Sequence, residues 1–264
     1  MDYRSLTESV VSLTKTTGQY LKSQLGSMQD LQIEVKGQMD FVTRVDKSSE
    51  HQLVEALSNL LPESGFIAEE GTSTKKGERF NWIIDPLDGT TNFIHGVIPF
   101  CISIALMDKD ELVIGVIYDP VQDECFAASS GNGAWLNNQR IQVSTCNRLN
   151  SALIATGFPY TDFSLIDSYM ESLQTFMEVS HGVRRLGSAA IDLAYVACGR
   201  YDGFYEYHLK PWDVAAGTVL IREAGGTVCD FRGGQDFLFN ENYVGTNTVI
   251  HDEFMEIIRK HFVH

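Results

Sequence analysis

The chain has 264 residues, 44% hydrophobic and 21% charged, ordinary globular usage that excludes disorder, collagen-like repeats and coiled coil. Acidic residues number 35 against 20 basic, a net charge of −15, and such a surface repels phosphate backbones, so no nucleic-acid partner is expected. The five cysteines form no C-x-x-C pair, no apolar signal core follows Met1, and no run approaches 18 apolar residues. These features predict free thiols, no membrane span and a cytoplasmic protein.

Leu6, Val10, Leu13, Thr17, Leu21 and Leu25 recur at helical spacing and predict an amphipathic first helix. The polar stretch Gln29–Met39 reads as a loop or hairpin. A second helix is predicted from near Asp46 to Leu61, stopped by Pro62 and Gly65. Strands follow at Phe66–Ala68 and Phe80–Ile84. Then Cys101–Met107, Leu112–Tyr118, Glu124–Ala128 and Trp135–Val143 read as an antiparallel meander, with Asn137-Asn138 as a turn. After Asn147 the rhythm alternates. Strands Ala152–Thr156, Gly203–Tyr207 and Thr227–Phe231 interleave with helices Ser164–Val179, Gly187–Cys198, Trp212–Ala224 and Asp252–Phe262. The fold class expected is therefore α+β or α/β, with an N-terminal half over 1–146, a C-terminal half over 147–264 and a cleft between them.

Four segments carry candidate chemistry. Asp85-Pro86-Leu87-Asp88-Gly89-Thr90-Thr91 follows the apolar run Trp82-Ile83-Ile84. Two carboxylates and the Leu87 carbonyl are hard oxygen donors that suit Mg²⁺. Gly89 and Thr90 would open a short helix with free N–H groups for phosphate. A plain turn with Asp88 as helix N-cap explains the same residues about as well. The segment resembles a D-x-D-G-T nucleophile loop, but Pro86 stands where the attacking aspartate would be. Covalent aspartyl chemistry is therefore not expected. Glu69-Glu70 ends a strand, Asp213 sits in the first turn after Lys210-Pro211-Trp212, and Asp46 closes Asp40–Asp46. Capping or solvation accounts for each of these alone. His95, His181 and His208 lack paired spacing and are given no role.

Taken together, Asp40–Asp46 (DFVTRVD), Gly65–Glu70 (GFIAEE), Trp82–Asn92 (WIIDPLDGTTN), Gly187–Ala190 (GSAA) and Trp212–Gly217 (WDVAAG) make the chain resemble the inositol monophosphatase family. These are magnesium-dependent, lithium-sensitive sugar-phosphate phosphatases. The resemblance implies a layered αβαβα sandwich, commonly a homodimer. It implies that Glu69, Asp85 and the Leu87 carbonyl hold one Mg²⁺, that Asp85, Asp88 and Asp213 hold a second, and that Glu69 touches a third. Thr90, paired with Asp46, would help deprotonate the attacking water, with Glu69 also in the catalytic set. The Gly89 and Thr90 amides would hold phosphate, and Gly187, Ser188, Ala189, Glu206, Asp88 and Asp213 would contact substrate. The activity expected is hydrolysis of inositol monophosphates. Alternatives are NADP(H), fructose 1,6-bisphosphate or 3′-phosphoadenosine nucleotides as substrate, or a regulatory binding partner that kept the fold. Lys36, Arg184 and Arg185 add positive charge for a second phosphate or a nucleotide, with solvated surface charge the plainer account of each, and Lys210 and Pro211 would line the pocket toward the rest of the substrate.

Overall fold

The computed structural model describes residues 1–25, 33–36, 40–73 and 75–263, with the backbone alone at 33–36 and 40–43. Helix α1 (Tyr3–Gln24) begins at Asp2, whose carboxylate accepts the Arg4 and Ser5 N–H groups. Strands β1 (Ile33–Lys36) and β2 (Asp40–Thr43) pair antiparallel, and α2 (Arg44–Leu60) follows directly. Part of the predicted Gln29–Met39 stretch, and the Lys36 side chain, lie outside the described residues.

The first large sheet has seven strands among the described residues, in chain order. They are β3 (Gly65–Ala68), β4 (Phe80–Asp88), β5 (Cys101–Asp108), β6 (Glu111–Asp119), β7 (Glu124–Ser129), β8 (Ala134–Leu136) and β9 (Gln139–Ile141); the five-residue helix α3 (Thr90–Ile94) falls between β4 and β5. From β4 to β9 every pairing is antiparallel, as the meander predicts. Asn137 and Asn138 both take positive φ, 45° and 68°, at the β8–β9 turn.

The second sheet is mixed, in the order β11-β10-β12-β14-β13. Its strands are β10 (Leu153–Thr156), β11 (Gly182–Arg184), β12 (Gly203–Tyr207), β13 (Thr227–Cys229) and β14 (Asn242–Thr246), interleaved with α4 (Ile166–Val179), α5 (Ala189–Ala197), α6 (Pro211–Glu223) and α7 (His251–Phe262). Neither β11 nor β14 is anticipated from the sequence. The first has three residues, and Asn242-Tyr243-Val244-Gly245-Thr246 carries too few apolar residues to signal a strand.

Strand alternation decides the layering. In β5, Ile102, Ile104 and Leu106 face one core while Cys101 and Ala105 face another. The larger side chains meet α1 and α2. The smaller ones admit α5 and α6, whose Ala190, Leu193, Val214, Ala216 and Leu220 fill the space between the two sheets. A third core joins α4 and α7 to the outer face of the second sheet through Tyr169, Phe176, Tyr205, Phe254 and Ile258. The result is an α/β/α/β/α sandwich, in which each fully buried Ile or Leu contributes about 1.5–3 kcal/mol. No helix among the described residues is long and apolar enough to cross a membrane.

Candidate active site

The parallel pairing of β3 with β4 aligns Ala68 with Ile84. The two residues that follow, Glu69 and Asp85, are therefore neighbours, and the Glu69 N–H donates to the Ile84 carbonyl at 3.3 Å. Sequence reading ends β4 at Ile84, but the strand continues to Asp88, with a register shift between Asp85 and Asp88. Pro86 has no N–H to give the ladder, which is why the irregularity falls there. The shift brings both aspartates to the same end of the sheet. Gly89 then turns the chain at φ +89°, a conformation that a side chain resists, to start α3.

Each acid is fixed by the frame through one oxygen. Leu87 N–H donates to Asp85 Oδ1 at 2.9 Å. Asp88 Oδ2 accepts from Ser188 Oγ at 2.6 Å and from the Ala190 N–H at 2.7 Å, which ties β4 to the first turn of α5. Asp213 Oδ2 accepts the Lys210 N–H at 2.7 Å and so caps α6. The Ser103 hydroxyl donates to the Trp212 carbonyl, locking α6 against β5. For Asp88 and Asp213 these bonds all fall on Oδ2, so Oδ1 is the oxygen turned to a ligand.

Glu69, Asp88 and Asp213 line a cavity of about 400 Å³ together with Thr90, Ser188 and Glu206, and Asp85 is buried beside them. The electrostatics are those of crowded acids. Burial, then Asp213, Asp46 and Glu70, raise the Glu69 carboxyl well above its usual range. Burial, then Glu69, Asp88 and Asp213, do the same to Asp85. Burial raises Asp88 against the bonds from Ser188 and Ala190, and burial with Asp88 lifts Asp213 to about 7. Like charges at this density keep protons unless a cation replaces them.

Among the described residues no three acids are already drawn into a metal cage; Glu69 and Asp85 share a hydrogen bond instead. The donor set nevertheless fits a hard divalent cation, being all oxygen, mutually repelling and backed by fixed hydrogen bonds.

Thr90 Oγ1 donates to the Leu87 carbonyl at 2.9 Å, and Asp46 is buried at the start of α2, close enough to act on Glu69. Glu206, at the far end of β12, lies across the cavity and is 9% exposed. Gly157 is what lets it in, since a Cβ there would sit 2.0 Å from Glu206 Oε2. Burial raises its carboxyl to about 8 against the pull of Arg185.

Of the three cations singled out for a second phosphate, Arg185 lines the cavity, whereas Arg184 is exposed and bonds its neighbour's carbonyl; Lys210 lines the cavity as expected. Lys210 pairs with Glu241. Arg185 stacks near Phe158 and Tyr160 and donates to the Tyr160 hydroxyl. His208, left without a role by the sequence, also lines the cavity and contacts Thr161 and Glu241.

Asp192 was missed as well. Its signal was legible: a lone acid in the apolar helical run Ala190-Ile191-Asp192-Leu193-Ala194 is a buried carboxyl in want of a reason.

Comparison with known proteins places the chain in a family. The inositol-1-monophosphatase of Mesorhizobium japonicum is 42% identical over 257 residues, covering 97% of each chain. The Nus factor SuhB of Pseudomonas aeruginosa is 40% identical over 252 residues, covering 94% of this chain and 93% of that one. The crystal structure of extragenic suppressor protein suhB from Bartonella henselae superposes with a TM-score of 0.93 at 40% identity, covering 97% of this chain and 99% of that one. Residues 2–262 match the inositol monophosphatase family, and the chain belongs to that family of phosphoric monoester hydrolases.

Proposed function

We propose that the chain hydrolyses inositol monophosphates to inositol and phosphate, with Mg²⁺ held by Glu69, Asp85, Asp88, Asp213 and the Leu87 carbonyl. The observation that supports this reading most is the convergence of Glu69, Asp88 and Asp213, from the end of β3, β4 and α6, on one cavity with Glu206 on its opposite wall and with Asp85 buried against the first three. Bound Mg²⁺ supplies the positive charge that offsets the phosphate dianion and makes water a competent nucleophile near neutral pH.

The chain's own residues do the rest. Ser188 and the Ala190 amide hold Asp88 in one orientation, so the ligand set is preorganised. In this reading the Thr90 hydroxyl turns from the Leu87 carbonyl, accepts the proton of the attacking water and passes its own to the Asp46 carboxylate, where the proton ends, and the Gly89 and Thr90 amides steady the phosphate. Glu206 accepts a hydroxyl of the leaving group, beside Gly187, Ser188 and Ala189.

One observation favours a second substrate class. Among the described residues no carboxylate lies within ion-pair distance of Arg185, which faces the cavity with guanidinium N–H groups to spare. That suits a leaving group bearing a further anion, such as NADP⁺.

Phosphate release from inositol 1-phosphate, NADP⁺, fructose 1,6-bisphosphate and 3′-phosphoadenosine 5′-phosphate, each with Mg²⁺, separates these readings. The expected result is the highest kcat/KM on inositol 1-phosphate. Retention on NADP⁺ with none on inositol 1-phosphate would transfer the assignment to the NADP phosphatase.

A further inference from the structure

Asp192 lies in the first turn of α5, 1% exposed, in the wall of the cavity. Among the described residues its Oδ1 meets no hydrogen-bond partner. Buried polar atoms are nearly always satisfied by protein or by something bound, because leaving one unmet is costly. The charged groups around it are Glu206, Asp88 and Arg185. Ile191 and Leu193 on either side pack into the core between the sheets, so an apolar residue would suit the helix better than an acid. Ser188, one turn earlier, already caps the helix by accepting the Ile191 N–H. The carboxyl is therefore placed at a cost to the fold, on the side of the cavity where the leaving group must lie.

We propose that Asp192 is a specificity-determining residue: its carboxyl takes a hydroxyl of a polyol leaving group beside the one taken by Glu206. Two carboxyls on one wall grip two hydroxyls of the same ring, which a leaving group without hydroxyls cannot offer. Burial, with Glu206 and Asp88 nearby, holds the Asp192 carboxyl well above the usual range. It thus stands as a neutral acid able both to donate to and accept from a hydroxyl. This inference rests on the polyol-phosphate reading above.

The test compares inositol 1-phosphate with p-nitrophenyl phosphate, whose leaving group carries no ring hydroxyls, in wild type, Asp192→Ala and Asp192→Asn. Asp192→Ala is expected to raise KM for inositol 1-phosphate about tenfold, the worth of one hydrogen bond, with kcat within about threefold. The ratio of kcat/KM for inositol 1-phosphate over p-nitrophenyl phosphate should fall by a similar factor. Asp192→Asn, which keeps a donor and an acceptor, should restore most of it.

Thermal melting of the same variants separates a structural role. An unpartnered carboxyl does not hold the fold together, so Tm of Asp192→Ala should be no lower than wild type. A variant that melts much earlier or fails to fold, an unchanged ratio, or an equal loss on both substrates would overturn the role of Asp192 alone. Wild-type protein that hydrolyses p-nitrophenyl phosphate but not inositol 1-phosphate would overturn the polyol reading and this inference with it.

Discussion

Asp88→Asn is expected to lower kcat about a thousandfold or more while leaving the protein folded. The variant keeps the shape of the side chain, and Ser188 Oγ and the Ala190 N–H still need an acceptor where Oδ2 now stands. The amide satisfies them by turning its oxygen that way. Its NH₂ then occupies the position of the second carboxylate oxygen, presenting donors where a cation needs an acceptor. A lost metal contact at the reacting phosphate costs several kcal/mol of transition-state stabilisation, and about 4 kcal/mol is a thousandfold. Stability should hold or improve, because burial already disfavours the Asp88 carboxylate. Steady-state kinetics on inositol 1-phosphate beside a thermal melt checks both halves. A variant with wild-type kcat would show that Asp88 is only a helix cap.

The second large effect is on stability against pH. Asp213 is held up at about 7 and Glu206 at about 8, chiefly by burial, whereas carboxyls of an unfolded chain titrate near about 4. Between those values the folded chain keeps protons that the unfolded chain has lost. The stability they contribute is complete below about pH 4 and is lost as pH rises through about 7 and 8. In EDTA, Tm should therefore fall from pH 5 to pH 8. Asp108 works in the opposite direction, since Arg79 holds it down at about 2, but its contribution is lost only below about pH 4 and leaves this window untouched. Mg²⁺ in place of the protons should raise Tm at pH 8 and flatten the slope, because a ligand that binds only the folded chain stabilises it. Melts at four pH values with and without Mg²⁺ measure this. A Tm that rises with pH in EDTA, or that ignores Mg²⁺, would show that the acids do not act as a coupled buried set.

Much of the frame was legible because its signals are local. The stripe of Val10, Thr17 and Leu21 foretells α1, and Asn137-Asn138 foretells a hairpin turn. What was not legible depended on partners distant in the chain. Strand β14 forms because β12 and β13 flank it. The continuation of β4 to Asp88 depends on Ser103 and Cys101 of β5 as pairing partners. At the site, residue types alone left each of Glu69, Asp88 and Asp213 open to a bland reading as a cap or a solvated turn. Those readings are partly right, since Asp213 does cap α6 through one oxygen. Only the parallel register of β3 with β4 and the packing of α5 and α6 between the sheets bring the acids to one cavity. Asp192 and Arg185 were missed or left undecided for the same reason, because a helix face or a loop end acquires meaning only from what stands opposite.

The most direct test is phosphate release from inositol 1-phosphate by wild-type protein, taken from excess EDTA through a Mg²⁺ titration. Four crowded acids that need a cation predict no release in EDTA and full recovery as Mg²⁺ is restored, with no recovery in Asp88→Asn. Undiminished release in excess EDTA would contradict the metal role given to Glu69, Asp85, Asp88 and Asp213.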